Sequence, residues 1–477
     1  MLEIIKKLIP RKIFKFLSPL YHFVFSGLAA LWYRFPSRKL IVIGVTGTAG
    51  KTSTVYLIAK TLEAAGYKTG FTSTAVFNGG AGECLNDKKM TMPGRFFIQR
   101  FLRQMVKNRC CYAVIETSSE GIKQFRHRFI NYDTLVFTGL YPEHIEAHGS
   151  FAKYRETKGK LFAHLKRGRV KYINEARQVI EPRSQLKKLD LQRVLKTLVI
   201  NGDDDNAEYF GNFWSEAKIV YSFNPAATND FFLKKLNSEY PVKDFTVVKG
   251  TMIEADTAGT TFLADGEKIH LKLLGSFNSQ NALAAYAVGF NQNLPVVRIK
   301  SGLEEINNLT GKMELIDCGQ NFTVIIDYSF EPRALEKLYS TVKLFPYNKI
   351  IHLLGSAGGG RDKARRPLLG KLAAEQADFI IITNEDPYDE DPAAIINQVS
   401  AGAEMFGAQL NKNLFKILDR REAIKKALML AEEGDLVLFT GKGAEQSICL
   451  EKGRKLPWDE REVVKEAIVD KMCIDKK

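Results

Sequence analysis

The run Gly44-Val-Thr-Gly-Thr-Ala-Gly-Lys-Thr52 is the first stretch of the chain whose residue types and spacing can do chemistry. Glycines placed this way let successive backbone N–H groups close around phosphate oxygens, and a helix N-terminus behind them favours negative charge. Lys51 can then reach the β- and γ-phosphates, and the Thr52 hydroxyl can ligate magnesium. Gly47, Thr48, Gly50, Lys51, Thr52 and Ser53 are read as a loop for ATP and Mg2+. The spacing departs from the common G-x4-GK[ST] form, because position 45 is Val. Glu116 lies just beyond an apolar run, Tyr112–Ile115, where α/β folds place ligands. Another apolar run, Leu135–Phe137, leads through Thr138 to Glu143, His144 and His148. A carboxylate and an imidazole near a triphosphate suit magnesium. Taken alone, Glu143 and His144 fit a solvated loop pair as well.

The elements around these residues read as α/β. Leu40–Val45 is a β-branched apolar run of the kind buried in a parallel sheet, and Thr52–Ala65 is a helix closed by Gly66. Thr134–Phe137 is a further strand, and Val247–Leu273 reads as edge strands or hairpins. A second series follows Gly311, with strands Phe322–Asp327, Lys349–Leu354, Phe379–Thr383 and Leu436–Thr440. Helices Glu331–Leu344 and Pro367–Ala377 connect them. The alternation predicts a P-loop domain with a mostly parallel sheet over 39–309 and a Rossmann-like α/β domain over 310–477. An apolar and basic segment, 1–38, precedes them.

The 477 residues exceed one ordinary core, and 45% hydrophobic with 26% charged residues excludes disordered and collagen-like chains. A net charge of +15 suits anionic partners. No interleaving of aromatic and basic residues points to nucleic acid. Six cysteines without a CxxC pair fit reduced thiols in a cytoplasmic protein. In the N-terminal segment an uncharged stretch, Phe16–Tyr33, is flanked by Lys6, Lys7, Arg11, Lys12 and Lys15 and by Arg34, Arg38 and Lys39. It barely reaches spanning length, and no cleavage site follows it. Two readings stay open: a segment lying on the anionic inner face of the membrane, or a helix packed on the body of the protein or on a second subunit.

In order along the chain, the motifs resemble the Mur ligase family, in particular its branch that adds the third amino acid to UDP-N-acetylmuramoyl-L-alanyl-D-glutamate. They are Thr46–Thr52, Glu116-Thr-Ser-Ser119, Glu143-His144 with His148-Gly149, Tyr154 and Lys158, and Asn201-Gly-Asp-Asp204. Gly275-Ser-Phe-Asn278 with Asn281, Gly311-Lys-Met-Glu314, Asp327-Tyr328, Gly359-Gly-Arg-Asp-Lys363 and Gly441-Lys-Gly-Ala-Glu445 continue the series. The resemblance implies an ATP-dependent amide ligase working through an acyl phosphate. It gives Lys51 and Thr52 the phosphate and magnesium, and makes Glu116, His144 and a carbamylated Lys158 metal ligands. Thr91, Ser118, Gln124 and Arg126 match the acceptor site. Asn278, Asn281, Lys312 and Asp327 match the nucleotide site. Arg361, Glu385, Asp386, Tyr388, Gly441 and Glu445 match the site of the incoming amino acid. The implied partners are a nucleotide-sugar peptide and a free amino acid.

Three departures stand out. Residues 1–43 are too few for the uridine-binding domain usual in this branch, which leaves the grip on the UDP group open, and a lipid-linked acceptor with it. Ser329-Phe330 replaces the family's Ala-His after Asp-Tyr. The family's Asp-Asn-Pro-Arg motif for diaminopimelate reads Glu385-Asp386-Pro387-Tyr388 here, and tyrosine cannot fork a carboxylate as arginine does. With Asp389, Glu390 and Asp391 nearby, the acids favour lysine, ornithine or a similar amine; a merely solvated loop is the alternative. The rival readings are a folylpolyglutamate or cyanophycin-type ligase, and a membrane-docked, non-catalytic nucleotide-binding partner.

Overall fold

The computed structural model describes residues 11–143, 145–180 and 188–475. Its larger sheet has eleven strands in the order Glu267–Leu271, Gly259–Ala264, Asp244–Asp256, Ala217–Ser222, Thr197–Asn201, Thr134–Phe137, Ile41–Thr46, Tyr112–Glu116, Thr69–Thr72, Val76–Asn78 and Glu83–Leu85. The centre is parallel, and an antiparallel hairpin extends each edge. Every residue of Ile41–Thr46 is buried, as its unbroken apolar pattern demands of a strand covered on both faces. One face carries the helices Lys51–Ala64, Phe277–Asn291 and Val296–Glu304; the other carries Arg95–Lys107 and Phe151–Leu165. Register sets Val45 opposite Glu116 and Thr46 opposite Phe137, so the phosphate loop, Glu116 and Thr138 leave the sheet at one edge.

The second sheet has six strands, Glu314–Leu315, Thr323–Asp327, Leu436–Thr440, Ile350–Leu354, Phe379–Thr383 and Leu414–Ile417, all parallel except the first. Asp327 pairs with Thr440, which brings Asp327, Gly441 and Glu385 to neighbouring carboxyl ends. Arg420 locks this edge from beneath. It donates to Asn384 O at 3.0 Å and Thr440 O at 2.8 Å, and its buried guanidinium pairs with Glu460 at 2.5 Å.

The expected strands Thr134–Phe137, Phe379–Thr383 and Leu436–Thr440 keep their bounds, and the helix expected at Thr52–Ala65 runs from Lys51 to Ala64. Val247–Leu273 forms the antiparallel edge of the large sheet. The N-terminal segment holds a helix, Arg11–Trp32, packed on the body. Phe23 sits against Phe125 and Phe129 with ring centroids 6.1 and 5.3 Å away, and His22 hydrogen-bonds Arg95. Among the described residues no helix is long and apolar enough to cross a membrane.

Candidate active site

The phosphate loop is held from behind by the sheet and by a second helix. Thr48 N donates to Gly139 O at 2.8 Å, and Lys51 Nζ donates to Thr48 O at 2.7 Å. Gly50 takes a left-handed φ of 77°, and a Cβ there would stand 2.4 Å from Asn281 Oδ1. A Cβ at Gly47 would meet Thr138 Oγ1 at 2.0 Å. Close approach thus dictates both glycines, and the left-handed backbone dictates Gly50 a second time. Asn281 accepts from Thr54 Oγ1 at 3.3 Å and donates to Asn278 Oδ1 at 3.0 Å, while Asn278 donates to Leu274 O at 2.8 Å. This pair therefore braces the loop from the helix Phe277–Asn291.

Beside the loop lies Glu116, 1% exposed. Its carboxylate accepts from Thr52 Oγ1 at 2.9 Å, from Thr74 N at 2.7 Å and from Thr74 Oγ1 at 3.0 Å. Thr74 Oγ1 in turn meets Thr91 Oγ1 at 2.9 Å. Lys158 reaches in from the helix Phe151–Leu165, donates to Gly47 O at 2.7 Å and lies over the Tyr154 ring at 4.9 Å. Burial, then the charge of Lys51, drives the Lys158 amine well below its usual pKa against the pull of Glu116. Burial also lowers Lys51, with Lys312 adding to it and Glu116 opposing. Burial and then Glu331 push Glu143 up to about 7.

The magnesium implied by the resemblance can be tested against these donors. Thr52 and Glu116 offer the hard oxygens it takes. A lysine ammonium cannot ligate a cation, so Lys158 fits only as a neutral amine converted to an anionic group. Among the described residues no three His, Cys, Asp or Glu side chains converge as a ready metal cage. His144, one of the expected ligands, lies outside the described residues. His148 lies within hydrogen-bonding distance of Ser119 Oγ, at 3.2 Å.

The acceptor candidates line one side. Ser118 caps the short helix Ser119–Lys123, Arg126 donates to Gln124 Oε1 at 2.6 Å and to Met92 O, and Thr91 closes the group. The two sheets face each other across the site. Tyr141 donates to Glu331 Oε1 at 2.7 Å, and Lys363 N donates to Glu146 Oε1 at 3.2 Å. Asp327 accepts from Met313 N at 2.8 Å and also from Ser329, so the serine that replaces the family's alanine is tied to the aspartate. Lys312 Nζ stands 4.7 Å from the Tyr328 ring.

The amino-acid candidates gather at the C-terminal edge. Tyr328 donates to Glu445 Oε1 at 3.0 Å, and Lys442 pairs with Asp386 at 3.2 Å and Glu445 at 2.9 Å. Glu385 is buried against Gly441 with Oε2 unpartnered, its pKa raised by burial and then by Asp386. The Arg361 guanidinium and the Tyr388 phenol lie close enough to act on each other's charge, and Tyr388 sits at a left-handed φ of 54°. Most of the acidic run is engaged elsewhere. Glu390 is taken by Arg366 at 3.0 Å, Asp391 caps Ala393 N at 3.0 Å, and Asp389 accepts from Lys452 N at 2.7 Å. Only Glu385 and Asp386 of the five face the site with Glu445.

Four participants escaped the sequence reading. Thr74, Tyr141 and Glu331 carried no motif. Lys89 carried none either, yet it crosses to Asp386, 297 residues away, and to Glu445 at 2.8 Å.

A phosphate loop at one parallel edge, faced by a second α/β unit with an acidic pocket, is the layout of a two-sheet ATP-dependent ligase. The domain model described as the Mur ligase middle domain matches residues 45–194, and that described as the Mur ligase glutamate ligase domain matches 311–443. The UDP-N-acetylmuramyl-tripeptide synthetase of Roseiflexus sp. (strain RS-1) is 34% identical over 453 residues, covering 93% of this chain and 82% of the relative. The UDP-N-acetylmuramoyl-L-alanyl-D-glutamate--2,6-diaminopimelate ligase of Syntrophomonas wolfei is 32% identical, with 93% and 81% covered. Among solved structures, folylpolyglutamate synthase of Mycobacterium tuberculosis shares the fold, with a TM-score of 0.61 at 15% identity and 87% and 91% covered. The chain belongs to the Mur ligase family and is an ATP-dependent, ADP-forming amide ligase of peptidoglycan synthesis.

Proposed function

We propose that this ligase adds a lysine-like amino acid, rather than diaminopimelate, to a UDP-N-acetylmuramoyl-dipeptide-type acceptor in the cytoplasm. Residues 39–309 hold ATP and acceptor, and residues 310–477 take up the amino acid. The observation that carries this reading is the carboxylate pair of buried Asp386 and partly buried Glu445, already gripping two ammonium groups, with Tyr388 where an arginine fork would be needed for a distal carboxylate. A carboxylate is a poor acyl group, so the acceptor is phosphorylated first. Lys51 and the loop amides hold the phosphates as charge develops on them. Thr52, Glu116, His144 and a carbamylated Lys158 are the residues that would hold magnesium, which when bound neutralises phosphate charge. Asn278, Asn281, Lys312 and Asp327 complete the nucleotide side, with Gly47, Thr48, Gly50 and Ser53. Thr91, Ser118, Gln124 and Arg126 orient the acceptor. Arg361, Glu385, Gly441 and Glu445 then present the amine to the acyl phosphate, and the second sheet excludes water. The test is ADP release with the UDP-linked dipeptide against lysine, ornithine, norleucine and diaminopimelate. Lysine or ornithine is expected to be best, by about tenfold or more over norleucine. A wide preference for diaminopimelate would reject the reading.

The N-terminal helix supports a peripheral contact with an anionic lipid surface. Leu17, Leu20, Val24, Leu28, Leu31 and Trp32 recur at helical spacing and are exposed, Trp32 to 77%. Between residues 4 and 62 the sequence holds no Asp or Glu, while Lys15, Arg34 and Lys39 flank the stripe. An apolar stripe with basic flanks suits the headgroup region. The chain is expected to sediment with phosphatidylglycerol vesicles but not with phosphatidylcholine alone, and to lose this binding when Leu28 and Trp32 become glutamate. Dimerisation through the stripe with no vesicle binding would instead assign it to a second copy.

A further inference from the structure

Lys89 comes from the P-loop side of the molecule and is buried in the acidic pocket of the other sheet, its side chain 5% exposed. It pairs with Asp386 and, at 2.8 Å, with Glu445; Lys442 holds the same two carboxylates at 3.2 and 2.9 Å. Two ammonium groups therefore share the same two carboxylates in a space with little water, and Glu385 stands beside them with Oε2 unpartnered. Lys442 is fixed there for good: its side chain is fully buried, it belongs to the same loop as Glu445, and it also donates to Ser447 O at 2.7 Å. Asp386 is anchored too, accepting from Cys449 N at 2.7 Å. Lys89 is the removable member, since it arrives from the segment before the helix Arg95–Lys107. Its backbone sits at a left-handed φ of 54° that a lysine seldom adopts. Asn86 ties this turn by donating to Met90 O at 3.1 Å and accepting from Lys88 N at 2.9 Å.

We propose that the Lys89 ammonium is a built-in occupant of the subsite for the side-chain ammonium of the incoming amino acid, displaced when that substrate binds, so that Lys89 sets both affinity and selectivity. The inference rests on the lysine-like reading above. Asp386 and Glu445 are each already matched by both lysines, so a third ammonium between the same two carboxylates would be pressed against two like charges. Exchange of Lys89 for a substrate ammonium leaves the count unchanged. A neutral side chain that displaced Lys89 would leave a carboxylate unpaired, and a second carboxylate on the substrate would add to that debit. The occupant thus screens out apolar and diacidic amino acids while keeping Asp386 and Glu445 in place between turnovers. The same segment continues to Thr91, which meets Thr74 beside Glu116, and to Met92, which accepts from Arg126. The segment that carries Lys89 therefore also lines the acceptor end of the site.

The experiment measures binding of L-lysine and L-norleucine by calorimetry to the full chain loaded with a non-hydrolysable ATP analogue and the UDP-linked dipeptide. KM and kcat for L-lysine are measured in parallel. Because an internal competitor reduces apparent affinity by the fraction of free subsite, Lys89→Met and Lys89→Gln are expected to bind L-lysine about tenfold more tightly, with the change in KM rather than kcat. Lys89→Arg, which keeps the charge, is expected to return affinity toward the wild-type value. Norleucine is expected to bind weakly to all four proteins. Weaker or unchanged lysine binding in both neutral variants overturns the proposal, because Lys89 would then support the site rather than compete for it. Wild-type protein that binds norleucine or diaminopimelate and not lysine overturns the lysine-like reading itself, and the role of Lys89 with it.

Discussion

Lys51→Ala is expected to lower kcat/KM for ADP formation by about a thousandfold or more, the scale of losing a charge aimed at a transferring phosphoryl group. The amine already points back over the loop, donating to Thr48 O at 2.7 Å, with Glu116 and Lys312 the charged groups that act on it most strongly. Alanine leaves the loop backbone unchanged, since Gly50, Asn281 and the Thr48 N–Gly139 O bond hold it independently of the lysine. Nucleotide affinity is therefore expected to fall less than turnover, because the loop amides still bind phosphate while the charge that grows in the transition state goes unanswered. ADP release under saturating ATP, with the melting temperature alongside, separates the two. Retention of a tenth or more of wild-type turnover would show that the loop binds nucleotide without taking part in its chemistry. That result would favour the non-catalytic rival.

The phosphate loop was legible because its constraints are local. Three glycines, a lysine and a threonine sit between an apolar β-branched run and a helix, and each requirement is met within nine residues. Strands such as Phe379–Thr383 were legible for a related reason, being buried on both faces and bounded by helices. Thr69–Thr72 and Val76–Asn78 were not, since short strands with Thr, Gly and Asn carry little periodicity, and they belong to the sheet only through partners elsewhere. The acidic run from Glu385 to Asp391 shows the limit most clearly. Five acids adjoin the candidate amino-acid site along the chain, but Asp391 is spent on a helix cap, Glu390 on Arg366 and Asp389 on a turn. Lys89 had no signal at all, because its partners lie on another sheet. The choice between the two readings of the N-terminal helix was also tertiary: Phe125 and Phe129 cover one face, and the stripe from Leu17 to Trp32 stays open.

Lys158→Ala offers the sharpest separation between two roles for a buried lysine. In the structure its amine donates to Gly47 O at 2.7 Å and shares a dry environment with Lys51, and burial together with that neighbour favours the neutral form. A neutral amine is the nucleophile that carbon dioxide requires, and the resulting carbamate carries negative charge where the ammonium carried positive. As an ammonium, Lys158 would brace the phosphate loop and compete with magnesium. As a carbamate, it would join Thr52 and Glu116 as an oxygen donor. Both roles predict that alanine lowers kcat/KM steeply, by about a hundredfold to a thousandfold, so the loss alone decides nothing. The space vacated by the side chain decides it. Added formate or acetate is expected to restore part of the activity of Lys158→Ala, and methylamine is expected to restore none. Wild-type activity is likewise expected to fall when bicarbonate and carbon dioxide are stripped from the buffer and to recover when they return. Rescue by methylamine, with no response to carboxylates or bicarbonate, would assign Lys158 to the phosphate loop as a plain cation. The magnesium donors would then reduce to Thr52, Glu116 and His144.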